Sequence, residues 1–135
     1  MKKMILLLLL MIASGCETNG GEMTSRELPS TTLSQAYPGD ISDVSMIELL
    51  NGSTGERVSI DTKVVIQNWL NSVKEIELVP DDNQELRVGY LYRITLFEDE
   101  QATMSFSPNE INRIYYNENE SFSKAVEELF IRYLE

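Results

Sequence analysis

Residues 86–116 read LRVGYLYRITLFEDEQATMSFSPNEINRIYY, and their alternation decides how the rest of the chain must fold. Over Leu86–Phe97, Val88, Tyr90, Tyr92, Ile94 and Leu96 fall on one side. Arg87, Leu91, Arg93, Thr95 and Phe97 fall on the other. A period of two with one apolar side is the signature of a strand that lays one face on a core. Glu98–Gln101 makes a charged turn. In Ala102–Ser107, Ala102, Met104 and Phe106 then alternate with Thr103, Ser105 and Ser107. Pro108-Asn109-Glu110 makes the next turn, into a third strand over Ile111–Tyr116. Connections this short can join only antiparallel neighbours, so the segment predicts a three-strand meander.

Downstream, Ser121 or Ser123 is placed to cap a closing helix. Phe122, Ala125, Val126, Leu129, Phe130, Tyr133 and Leu134 recur on it at helical spacing, forming one apolar stripe. Upstream, the apolar runs Val44–Leu50 and Glu56–Ile60 flank Asn51-Gly52-Ser53-Thr54-Gly55, whose Asn-Gly pair favours a hairpin. Asp61 or Thr62 opens a helix carrying Val65, Ile66, Trp69, Leu70 and Val73. The order is strand-strand-helix-strand-strand-strand-helix. It predicts an α+β fold in two layers, an antiparallel sheet with both helices on one face, over a single domain at 44–135. Residues 17–43 are polar, contain Gly and Pro and show no period, so 16–43 reads as a flexible tether spanning about 25–30 Å.

At the other end of the chain, Lys2 and Lys3 precede an uncharged apolar run from Met4 to Ala13, and Ser14-Gly15 leads into Cys16. These are the charged, apolar and small-residue zones of a signal peptide over 1–15. The run is about half the roughly 20 residues that a membrane-crossing helix needs. With the single cysteine at the cleavage point, the segment resembles the lipobox of bacterial lipoproteins. The resemblance implies a diacylglyceryl group on the Cys16 sulfur, cleavage after Gly15 and acylation of the new amine. It implies a protein anchored in the cell membrane by lipid on the extracytoplasmic face. Two or more chains hold firmly, at about 0.8 kcal/mol per buried methylene. The whole layout is similar to the small YhfM-like lipoproteins of Gram-positive bacteria, which implies a compartment and a fold type but no activity.

Composition narrows the chemistry. The net charge is −11, and loss of residues 1–15, with two lysines and no acid, takes it to −13. Such a surface repels nucleic acid and anionic headgroups, so no nucleic-acid partner is expected and membrane attachment must come from the lipid. There is no histidine, and Cys16 is the only cysteine. Ser-His-Asp and Cys-His nucleophile systems, thiolate or imidazole zinc sites and internal disulfides are therefore excluded. No cofactor is expected.

Ser121-Phe122-Ser123-Lys124 spells the Ser-x-x-Lys of penicillin-binding enzymes, but a helix N-cap explains it, and the companion motifs are missing. The acidic groups at Asp81–Glu85, Glu98–Glu100 and Asn117–Glu120 could offer oxygen ligands to Ca²⁺; none has the spacing of a calcium loop, and solvated turns explain them. The basic residues give the sharper pattern. If the apolar positions face the helices, Arg57, Arg87 and Arg93 share the opposite sheet face, joined by Arg113 and Tyr115. Against this stands ordinary cross-strand pairing with acids. The guanidinium forks would suit an acidic peptide, a carboxylate-bearing wall fragment or a phosphate polymer. The expectation is a non-enzymatic binding module, with a structural or assembly role for another envelope protein as the alternative and a small hydrolase third.

Overall fold

A computed structural model describes residues 27–134, so Cys16 and the segment before it lie outside the described residues. A one-turn helix α1 (Leu33–Ala36) and a 3-10 turn (Ile41–Asp43) lead into strands β1 (Met46–Asn51) and β2 (Arg57–Ile60). Helix α2 (Lys63–Val73) follows, then β3 (Tyr92–Glu98), β4 (Gln101–Ser107), β5 (Glu110–Ile111), β6 (Ile114–Tyr115) and helix α3 (Glu120–Leu134). The strands form one antiparallel sheet in the order β2-β1-β3-β4-β5-β6. The fold is α+β, as the alternation implies.

Register turns that alternation into a core. Val58, Leu49, Ile94, Phe106, Ile111 and Ile114 are successive cross-strand partners, one apolar row across all six strands. Ile60, Ile47, Leu96 and Met104 form a second row. Both helices close over this face. Phe122 lies 6.1 Å from Phe106 and Phe130 lies 4.4 Å from Tyr92, ring centre to ring centre. Trp69 Nε1 donates to the Ala125 carbonyl at 3.1 Å, which ties α2 to α3 while satisfying the indole N–H.

Four expectations are corrected. Residues 27–43 are not tether: Leu33, Tyr37 and Ile41 are buried in the core. Thr32 and Gln35 close a capping box on α1, and Thr31 pairs with Leu78. Residues 86–91 alternate like a strand yet are not one, because β1 turns away at Asn51, the partner of Tyr92, and leaves them no strand to pair with. Val88, expected in the core, is 95% exposed. The run Ile111–Tyr116 is broken at Asn112 and Arg113, both at positive φ (53° and 66°), into a two-residue hairpin turn. Finally α3 is capped by Asn119, whose Oδ1 accepts the Phe122 N–H at 3.1 Å, and not by either serine.

Candidate functional site

The expected arginine face forms in part. Arg57, Leu50 and Arg93 are cross-strand neighbours on the sheet face away from the helices. Acids neutralise it. Arg57 meets Glu48 at 2.6 Å, and Arg93 reaches Ser105 Oγ at 3.1 Å and Glu110 at 3.5 Å. Arg87 stands in the loop before β3, bonded to Asp81 at 2.7 Å and to the Asn83 carbonyl at 2.8 Å. Arg113 occupies the β5–β6 turn, where its backbone N–H donates to Glu110. Tyr115 is buried beneath Arg87, whose guanidinium carbon sits 4.7 Å from the ring centre. With each of the three sheet and loop arginines matched to a carboxylate, the face has no surplus positive field to capture an anion. Arg57, Arg87 and Arg93 are thus held in ion pairs, Arg113 stands in a turn and Tyr115 lies beneath Arg87, so the five are not assembled as one free cationic face.

Ser121 and Lys124 are both exposed, and no hydrogen bond joins them. Among the described residues no group of three or more acids, histidines or cysteines is placed to hold a metal ion.

The segment that fails to become a strand builds a site instead. Its near end is bonded to the sheet edge: Gln84 donates from Nε2 to the Tyr115 carbonyl (2.8 Å) and accepts the Tyr115 N–H at Oε1 (2.9 Å). The side-chain amide thus extends the backbone pairing that Val79–Asp81 already make along the same edge, where Asp81 N–H donates to the Tyr115 carbonyl at 2.9 Å and Pro80 pairs with Tyr116. In the middle, the Arg87 N–H donates to the Tyr115 hydroxyl at 2.9 Å. At the far end the Gly52 N–H donates to the Leu91 carbonyl at 2.8 Å. Between these fixed points Leu86 and Val88 project into solvent, 88% and 95% exposed.

A groove of about 760 Å³ opens beside this loop, at the end of the sheet. Tyr90, Leu91 and Tyr92 form one wall. Pro108, Tyr116 and Glu118 line it too, and α3 contributes Ser123 and Glu127, one helical turn apart. Two other depressions measure about 450 and 280 Å³. Within the groove the Arg87 hydrogen bond holds the Asp81 carboxyl below the usual aspartate range, helped by the Asn83 N–H, so Asp81 stays ionised and matched. Burial pushes the Tyr116 hydroxyl up, which keeps it a neutral donor. Glu118 and Glu127 are exposed and form no ion pair among the described residues.

Sequence reasoning found Arg87 and Tyr115 but missed the groove. Its one available signal was Gly89 within an apolar alternation, at φ 88°, which marks a break more often than a continuing strand. No protein-family model, curated protein or solved structure matches this chain.

Proposed function

We propose that the chain is a lipid-anchored, extracytoplasmic, non-enzymatic binding module whose ligand occupies the groove between the 84–91 loop and α3. The lipobox-like segment ending at Cys16 supports the anchor. The observation that carries the binding role is the fixed loop that holds Leu86, Val88 and Leu91 in solvent beside a concave site with aromatic walls. Apolar side chains grouped at the rim of a pocket are the usual sign of a surface that is covered in use. The chain has no imidazole, and among the described residues lining the groove no nucleophile is hydrogen-bonded to a base, which favours binding over catalysis.

Two arms test this reading in bacterial cells. Cys16→Ser removes the thiol that the thioether needs, so the variant is expected to lose the lipid mass and leave the detergent phase. Unchanged mass and partitioning overturn the anchor. A photo-reactive residue at Val88 is expected to give a discrete cross-link that the same group at Glu100, on the β3–β4 turn at the opposite end of the sheet, does not. Identical products from both positions, or none from either, overturn the groove.

A further inference from the structure

Building on the groove as the binding site, we infer that its ligand is an extended peptide segment in which lysine or arginine alternates with apolar residues. Charge gives the first argument. Asp81 is cancelled by Arg87 at 2.7 Å, which leaves Glu118 and Glu127 as the groove charges without an ion-pair partner among the described residues. The chain as a whole stands at −11. A cation is drawn in by this field and an anion is turned away.

The walls give the second. Tyr90, Tyr92 and Tyr116 line the groove; Arg93 covers one face of Tyr90 and Phe130 packs on Tyr92, so the ring surface left toward the groove is what would attract a desolvating cation. The domain already uses that contact twice in this region, with Arg93 over Tyr90 and Arg87 over Tyr115, each at 4.7 Å from the ring centre. The rim gives the third, because Leu86, Val88 and Leu91 are exposed and call for apolar side chains between the cations. The backbone decides for a peptide over a sugar. The N–H and C=O groups of Val88 and Gly89 make no hydrogen bond among the described residues, and they lie in the loop three residues before β3 begins at Tyr92. Such unpaired groups can bond the backbone of a peptide laid along the loop, whose side chains then divide between the groove and the rim.

The test uses the full-length protein in detergent micelles and three fluorescent peptides, Lys-Leu, Ser-Leu and Glu-Leu repeats of equal length, followed by anisotropy. The Lys-Leu repeat is expected to bind, more weakly as salt rises, with the Ser-Leu repeat about tenfold weaker and the Glu-Leu repeat not bound. Glu118→Gln with Glu127→Gln should weaken the Lys-Leu repeat about tenfold and leave the Ser-Leu repeat unchanged. Both substitutions are at exposed positions, so folding is not at stake. Glu100→Gln with Glu75→Gln, remote from the groove, should change neither.

Failure of the Lys-Leu repeat to bind overturns the inference, as does an equal loss from the remote pair. If the Ser-Leu repeat binds as tightly and Leu91→Ser weakens both peptides, the groove stands and the cationic ligand falls. If the Lys-Leu repeat binds but neither Leu91→Ser nor the groove pair alters it, the groove itself falls. A neutral oligosaccharide that displaces the Lys-Leu repeat from the wild type and binds the groove variant at full strength also overturns it.

Discussion

Gly52 and Tyr37 hold distant segments together, each through one group whose chemistry cannot be exchanged. A Cβ on Gly52 would sit 1.9 Å from the Tyr90 carbonyl oxygen, so only glycine lets the β1–β2 turn approach the groove loop closely enough to bond Leu91. Tyr37 reaches from the end of α1 to β3 and β4, its hydroxyl donating to Glu98 at 2.7 Å and lying 2.8 Å from Thr103 Oγ1. Burial first, and the Glu98 carboxylate with it, push the hydroxyl from 10.0 up to about 12. The folded state thus favours the neutral phenol. Its stabilisation is complete below the unfolded value near 10 and is lost as pH rises through about 12. Urea unfolding across that range is expected to show stability falling with pH in the wild type and a shallower fall in Tyr37→Phe. Parallel curves would mean that other groups govern the alkaline transition.

At the scale of elements, what sequence reveals depends on how many periods an element repeats. β3 and β4 have seven residues each and α3 has fifteen, enough for alternation or a stripe to stand out, and all three were legible. Helix α1 has four residues, one turn, which cannot display a period. Its surroundings of Ser, Thr, Gln, Pro and Gly therefore read as tether although Leu33 is fully buried. The 86–91 run fails for the opposite reason. Its alternation is real, but strand formation needs a neighbour, and nothing local records that β1 ends at Asn51. The groove depends on that non-local fact, so Tyr90, Tyr92, Tyr116, Glu118 and Glu127 could not be grouped from spacing alone. The arginine face was half legible: the row of Arg57 and Arg93 follows from register, while their matching to Glu48 and Glu110 requires the pairing itself. If 27–43 is part of the domain, Leu33→Ala should cost about 2–5 kcal/mol in chemical unfolding, the range for a buried leucine. A loss within the roughly 0.5 kcal/mol typical of surface sites would mark the segment as peripheral.

At the scale of the molecule, the charge distribution and the point where the chain enters the domain bear on the same end of the fold. Glu27 and Leu28 line a depression with Val79, Pro80 and Asp81, and Asp81 also lines the groove, so the described chain begins close to the candidate site. If Cys16 carries lipid, the ten residues 17–26 limit that end to about 35 Å from the anchor even at full extension. A basic segment of another membrane-bound protein would then meet the groove at short range, while the acidic body is held off anionic headgroups by repulsion. The same excess of acids acts within the domain. Among the described residues only Glu48, Asp81 and Glu110 meet an arginine, so compaction gathers the other carboxylates of the domain without a partner of opposite charge. Salt screens that repulsion over a Debye length of about 10 Å at 0.1 M. Raising sodium chloride from about 0.01 to 0.1 M is therefore expected to raise the melting temperature by about 5 °C, equivalent to roughly 1 kcal/mol for a domain near this size. The Glu118→Gln, Glu127→Gln variant should start higher and respond less. A melting temperature that falls with salt would show that the three arginine pairs, and not the unmatched acids, dominate the electrostatics of the fold.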